Sequence, residues 1–598
     1  MENGRVDFPV RFDGGWIYGS AIKLFIRKIV KSVWFSQCVF ELGKQENRNY
    51  FEEESGVGLL GRYEKIAYIF ESTLGRTFLS DIYLPETKHF FPTIMRTLHL
   101  FLLFFLSATL HAADRPNIII ILTDDMGFSD LGCFGGEIDT PNLDKLAYNG
   151  LRFTEFYNTA RCWPTRATLM SGVYSNGLGQ GQVTIPELLK PAGYQTGMVG
   201  KWHLGNNPKK DGPIQRGFDD FYGTMTGAGS FFDPYTLARN TEFTEVDTED
   251  YYYTDRIGTE AVRQIEDFAK SDKPFFQYVA FTAAHWPLHA PEATIQKYLC
   301  RYKDGWEKMR AERYARMLEM GIIDKERWPL PAPEKNVKDW ESIDHKEWRI
   351  RNQAVYAAMV DHMDQAVGNI VHALEKTMQL DNTFIIYFHD NGACHEHLSG
   401  NGSNTANNIL AKAKAEGKTI AVGDKYDVPM GGPMTYGSVG QNWANAQNTP
   451  LRRYKANVHA GGACTPAIVH WPAGLKTQPG SITEQRGHVV DMMATCLDLA
   501  GAKYPENHSG KTVRSHESLS LVPIFKGCQT NRDHAYIFNH SNTHAIVKGD
   551  YKIVRERKGN WTLYNLAKNR TETKDLAEEK PELVKELARI WEDRWGKK

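Results

Sequence analysis

Asn117-Ile-Ile-Ile-Ile-Leu122 is an unbroken apolar run rich in β-branched residues. Such a run has no alternating polar face to offer water, so it reads as a strand buried on both sides, the kind found at the centre of a parallel sheet. It delivers Asp124 and Asp125 at its carboxyl end, and ligands bind at the carboxyl ends of strands in open α/β sheets. Thr383-Phe-Ile-Ile-Tyr-Phe388 is a second strand of this type and runs into His389-Asp390-Asn391-Gly392. A third covers residues 275–281 and stops near His285. Amphipathic helical stretches lie between them, for example 259–269 and 354–375. The alternation predicts an α/β fold, a sandwich around a mostly parallel central sheet.

The pattern changes after about residue 510. Short strands at 535–539, 545–547, 551–555 and 561–565 are separated by Lys548-Gly549-Asp550 and Lys558-Gly559-Asn560, which reads as an antiparallel meander. Residues 581–595 read as a closing amphipathic helix with Pro581 in its first turn. A length of 598 residues suits one large domain at 114–510 and a small α+β domain with an antiparallel sheet at 511–598. The charged, Trp-containing segment 300–349 reads as irregular.

Residues 95–113 have the plan of a secretory signal peptide: Met95-Arg-Thr, an apolar run over 98–110, then His111-Ala112-Ala113 before Asp114. The run is shorter than the roughly 20 residues a membrane-spanning helix needs, so no stable membrane span is expected. Residues 1–94 are then expected to be an upstream, non-native extension that is poorly ordered, and the mature chain to be secreted or periplasmic. With a formal net charge of −1 nothing suggests a nucleic-acid binder, and none is expected as a partner. The eight cysteines are widely spaced, with no C-x-x-C pair and no zinc-type cluster, leaving one or two disulfides open.

Cys162-Trp-Pro-Thr-Arg166 is followed by Ala-Thr-Leu-Met-Ser-Gly172. Taken alone, this is also what a buried free cysteine at the start of a helix looks like. It is joined by Gly193-Tyr-Gln-Thr-Gly-Met-Val-Gly-Lys201-Trp-His203-Leu-Gly205, in which Lys201 and His203 alternate by two and so share one face of an extended segment. Further on come Phe281-Thr-Ala-Ala-His285-Trp-Pro-Leu-His289 and Lys455-Ala-Asn-Val-His459-Ala460-Gly461-Gly462. Together these segments resemble the type I, formylglycine-dependent sulfatase family, arylsulfatase-like, with the alkaline-phosphatase superfamily fold. The resemblance covers residues 114–598.

The resemblance implies a sulfuric ester hydrolase acting on a carbohydrate or aryl sulfate. It implies that a maturation enzyme oxidises Cys162 to formylglycine. One hydroxyl of the hydrated aldehyde attacks sulfur, and the other later expels sulfate by collapse to the aldehyde. Asp124, Asp125, Asp390 and Asn391 match the family's metal ligands, with Cys162 as formylglycine completing the set. Hard oxygen donors suit Ca²⁺ or Mg²⁺. Arg166 would steady the nucleophile and the metal carboxylates, and Lys201, His285 and Lys455 would bind the sulfate. His285 or Lys455 would protonate the leaving oxygen, and His203 would take the proton from the remaining hydroxyl. His289 has a structural or a site role. The chain departs from the family at Ala460, where Glu is usual, and at Trp163, where a small residue is usual. The first touches loop geometry and the second maturation. Specificity is expected from loops 223–235, 394–408 and 430–443, with His395, His397, Tyr436 and Trp443 as sugar contacts. Two other readings stay open: a phosphonate or phosphate monoester hydrolase on the same scaffold, and an inactive secreted protein that binds sulfated glycans.

Overall fold

A computed structural model describes residues 10–12, 15–17, 115–398, 404–530 and 534–596. The chain divides into two units, Met1–Ser107 and Ala108–Lys598. In the first, strands Val10–Phe12 and Gly15–Ile17 pair antiparallel. The signal-peptide expectation at 95–113, and otherwise the expectation for 1–94, lie outside the described residues.

The second unit is organised by an 11-stranded mixed sheet. Its central strands are β1 Asn117–Thr123, β2 Leu151–Tyr157, β3 Gln195–Gly200, β4 Asp220–Thr224, β5 Phe275–Ala280, β6 Thr383–His389 and β7 Cys464–His470. They lie in the order β2-β7-β6-β1-β5-β3-β4, with short strands at both edges. From β6 to β4 every pairing is parallel, whereas β7 is antiparallel to both of its neighbours.

The isoleucine run of β1 works as its composition requires. Successive side chains point to opposite faces of a strand, so a strand without polar residues needs a core on both. Ile119 and Ile121 pack with Ile257, Ala261 and Ile265 of α1 (Tyr253–Phe268) and with Val360, Met363 and Val367 of α3 (Lys346–Lys376). Ile118, Ile120 and Leu122 pack on the other side with Met492, Met493 and Cys496 of the helix Met492–Ala500. Each fully buried branched side chain contributes roughly 1.5–3 kcal/mol.

Segment 300–349, read as irregular, holds the helix α2 Gly305–Glu319. Its buried face includes Arg310 and Arg313 beside Trp306, Met309 and Met317, so it does not look apolar. Arg313 is neutralised by Asp130 at 2.6 Å and Glu137 at 2.7 Å. The seven described cysteines are all free. No helix among the described residues is long and apolar enough to cross a membrane.

The C-terminal meander is β8 Tyr536–His540, β9 Thr543–Lys548, β10 Tyr551–Glu556 and β11 Thr562–Asn565, all antiparallel. The helix α4 Pro581–Trp595 closes it through Leu587 and Trp591. Leu521, Val522 and Phe525, ahead of the meander, pack into the core of the large sheet.

Candidate active site

β1 and β6 pair in parallel, with His389 opposite Thr123. The residues that follow them, Asp124-Asp125 and Asp390-Asn391, therefore leave the sheet side by side. Next to them β5 ends and leads into His285. On the far side of β5, β3 ends at Gly200 and leads into Lys201. Asp125 turns the chain with φ 60°, a left-handed conformation that Asp tolerates better than most residues.

Cys162 is the first residue of the helix Cys162–Ser171, and Arg166 follows one turn later, fully buried. Its guanidinium donates to the Lys201 carbonyl at 2.8 Å, to Asp124 Oδ2 at 3.1 Å and to Asp390 Oδ2 at 2.8 Å. Lys201 Nζ pairs with Asp124 Oδ2. Lys455 Nζ lies 2.7 Å from Asp125 Oδ1, and Asn391 Nδ2 donates to the same oxygen, also at 2.7 Å. His285 Nε2 is 3.5 Å from Asp125 Oδ2, while its Nδ1 lies 2.6 Å from the Trp286 carbonyl. A carbonyl only accepts, so Nδ1 carries the proton and Nε2 faces the site.

The expected shared extended face of Lys201 and His203 is not what forms. The strand ends at Gly200, and His203 is left-handed with φ 56°. The Lys201, Trp202 and His203 amides are bonded to the Ala280, Thr224 and Met225 carbonyls, which fixes this turn. The His203 ring sits beside Trp163, at 5.9 Å between ring centres, in space left by Gly227, where a Cβ would come within 2.3 Å of it.

The electrostatics follow from burial and charge. Burial raises Asp124, but Lys201, His285 and Arg166 outweigh it and hold this carboxyl far below the usual range. Burial and the Asp124 charge push Asp390 up, against Arg166. Burial raises the Cys162 thiol, with Lys201 and Lys455 opposing it. Burial, then Lys201 and Arg166, hold His203 well below the usual imidazole range. Burial also lowers His285, to about 4.

The residues present fit a hard divalent cation. Asp124 Oδ1, Asp390 Oδ1 and Asn391 Oδ1 are buried side-chain oxygens without a hydrogen-bond partner, and a ligating atom each from Asp124, Asp125 and His285 lie within 4.8 Å of one another. Buried oxygens are rarely left unpaired, and oxygen donors of this kind are what Ca²⁺ and Mg²⁺ take.

The expectations for Tyr436 and Trp443 need correcting. Tyr436 and Trp443 are each only 1% exposed, so neither is placed to touch a sugar. Trp443 packs with Tyr302, Trp306 and Trp340. His289 is structural: Nε2 is 2.7 Å from the Thr435 carbonyl and Nδ1 accepts from the Phe231 amide at 3.3 Å. His395 stacks on Tyr454, and His397 stays exposed. Sequence reasoning missed Glu396, which accepts from Arg161 at 2.7 Å and Trp286 Nε1 at 2.9 Å and lies 3.9 Å from Lys455. A glutamate in a polar loop carries no signal of this kind.

Fold and site together describe an α/β protein with a buried, charged centre at the carboxyl ends of its parallel strands. The sulfatase family model matches residues 116–502, and the chain belongs to the sulfatase family. It is 30% identical over 527 residues to an uncharacterized sulfatase of Schizosaccharomyces pombe, covering 80% of this chain and 93% of that one. It is 32% identical over 449 residues to an arylsulfatase of Klebsiella aerogenes, covering 69% and 93%. Among solved structures, Ps i-CgsB in complex with k-i-k-neocarrahexaose matches with a TM-score of 0.54 at 24% identity, covering 80% of this chain and 92% of that one. The chain is a sulfuric ester hydrolase, of a family that uses a metal ion and formylglycine.

Proposed function

We propose that this sulfatase removes sulfate from a sulfated carbohydrate after a maturation enzyme has converted Cys162 to formylglycine, and that it works outside the cytoplasm with one Ca²⁺. The observation that carries the site reading is that the charges of Lys201, Lys455, Asp124 and Asp390 all bear on the buried Cys162, while oxygens of Asp124, Asp390 and Asn391 are left unpaired. Asp124, Asp125, Asp390 and Asn391 would hold the cation, which would supply Lewis-acid charge to a sulfate ester. Formylglycine at position 162 supplies the hydroxyl nucleophile.

The chain's own groups do the rest. Lys201 pairs with Asp124 and Lys455 with Asp125, so both ammonium groups line the centre and would neutralise the oxygens of a sulfate bound there. Arg166 bridges Asp124 and Asp390 and fixes their free oxygens in direction. Lys455 Nζ gives a proton to the leaving oxygen, or His285 does so in its imidazolium form, when Nε2 as well as Nδ1 is protonated. His203 is held neutral by burial and its cationic neighbours, the form that takes a proton from the hydroxyl of residue 162. The sum is ester plus water to alcohol plus sulfate.

Support for a carbohydrate comes from the residues around the charged centre. Trp163 is half-buried, flanked by His203 and by His540 at 5.7 Å, with the Arg161 guanidinium 5.3 Å from its ring. An aromatic surface beside the Arg161–Glu396 pair offers a sugar a stacking face and hydrogen-bonding partners. Ps i-CgsB was solved in complex with k-i-k-neocarrahexaose.

Mass spectrometry of the peptide containing residue 162, after co-expression with a maturation enzyme, should show the aldehyde or its hydrate. An unmodified cysteine where a control sulfatase is converted would overturn the nucleophile. Rates on 4-nitrophenyl sulfate and on sulfated disaccharides test the substrate class, and a faster aryl sulfate would refute the carbohydrate reading. Metal analysis of the active enzyme should find Ca²⁺, and sequencing the exported protein should give a start near Asp114.

A further inference from the structure

Lys455 lies on a loop in which Ala460 stands where the family usually has Glu. The structure brings another carboxylate to that backbone from 112 positions downstream. Glu572 Oε2 accepts from the Ala460 amide at 3.1 Å and from His459 Nδ1 at 2.6 Å. Its Oε1 accepts from Lys552 Nζ of β10 at 2.5 Å, and its backbone carbonyl accepts from Arg452 at 2.6 Å. Glu556, at the end of β10, takes Asn457 Nδ2 at 2.9 Å and Arg453 at 3.0 Å. The C-terminal sheet thus grips the Lys455 loop on both sides of the lysine.

The opposite side of the loop is tied to the catalytic centre. The Lys455 amide donates to the Ala393 carbonyl at 3.1 Å, and the Ala456 amide donates to the Ala160 carbonyl at 2.6 Å, two residues before Cys162. Arg453 and Ala456 are left-handed, with φ 66° and 67°, conformations that hold only when surrounding contacts impose them. Glu572 itself is left-handed, with φ 56°, and its side chain is fully buried. Burial opposes its charge, and Lys552 and His459 restore it. A buried ion pair is a weak source of net stability, so its use here calls for a positional explanation.

We propose that Glu572 is a positioning residue for Lys455, supplying from the loop after β11, where Lys552 of β10 anchors it, the carboxylate that position 460 lacks, so that the C-terminal subdomain is part of the sulfate-binding machinery. The inference rests on the reading of Lys455 as a sulfate contact. A misplacement of about 1 Å at a reacting centre is enough for effects of up to about 100-fold. The isosteric Glu572→Gln change weakens the charge-assisted grip, and Glu572→Asp keeps the charge but shortens the reach by one carbon.

The test is a double-mutant cycle read by KM for 4-nitrophenyl sulfate and by inhibition with inorganic sulfate. Glu572→Gln and Glu572→Asp are each expected to raise KM and the sulfate inhibition constant roughly tenfold, with a smaller change in kcat. In a Lys455→Ala background the same changes are expected to add less than about twofold. An undiminished effect in that background would overturn the positioning role while leaving Lys455 in place. Wild-type sulfate inhibition in both Glu572 variants would do the same. Wild-type KM and inhibition in Lys455→Ala alone would overturn the role of Lys455, and the inference with it.

Discussion

The two sides of the site are held in different ways. Asp124, Asp125, Asp390, Asn391 and His285 follow adjacent parallel strands, and their places are set by the sheet register within a few residues of each strand end. Lys455 sits in a loop with two left-handed residues, pinned between the residue-160 turn and a sheet about a hundred residues later in the chain. The cation side is therefore a local consequence of a buried strand, and the Lys455 side depends on the docking of a second layer. Damage to the two sides should separate: loss of ligands on the first, loss of sulfate affinity on the second.

The largest effects belong to the strand-end side. Cys162→Ala should lower kcat by at least about 10³-fold, since the nucleophile is gone. Thermal unfolding of the same variant should stay near wild type, because only one small side-chain group is removed; a large drop would mean the residue is needed for folding. Asp390→Asn should act similarly, with metal content falling alongside rate in elemental analysis. Lys201→Ala and His285→Ala come next, at roughly 10²–10³ in kcat, the usual cost of one electrostatic donor. Near wild-type turnover in either would remove it from its role.

A core substitution sharpens the contrast. Leu563→Ala, in the buried face of the C-terminal sheet, should cost roughly 2–5 kcal/mol in urea unfolding. At temperatures where the variant remains folded, it should raise the sulfate inhibition constant before it lowers metal content. Ile120→Ala in β1 should cost a similar amount and show the reverse order. Matching patterns in the two variants would break the distinction between the sides.

The smallest effect is a slope against pH. Burial holds His289 neutral by lowering it to about 4, below the ordinary value near 6.5. A group depressed on folding adds stability above its unfolded pKa and loses it as pH falls toward the folded one. Stability should therefore decline between about pH 6.5 and 4, and His289→Gln should flatten that slope in denaturation curves. An unchanged slope would mean that this ring does not titrate in the native protein as its surroundings require.

Much of the fold was legible because β1, β5 and β6 lack a polar face and can only be buried, and because Pro581 and the Gly-containing turns punctuate the C-terminal segment clearly. The helix Gly305–Glu319 was not legible, since two of its core residues are arginines whose partners, Asp130 and Glu137, lie far back in the chain. Trp443 and Tyr436 looked available to a ligand because an aromatic in a Gly/Asn-rich loop gives no sign of what packs on it. Glu396 and Glu572 carried no local signal, because their partners come from other segments.

The sequence by itself singled out the candidate site residues: the cysteine at a helix start, the arginine one turn on, and the acidic pairs at the ends of apolar strands. These follow from side-chain chemistry and short-range periodicity, which need no knowledge of the rest of the chain. The tertiary structure alone decided which charges meet. It set Lys455 against Asp125, left oxygens of Asp124, Asp390 and Asn391 unpaired, and brought Glu572 to the Ala460 amide. Electrostatic pairing and burial depend on distance in space, and residues separated by 112 positions become neighbours only when the layers pack.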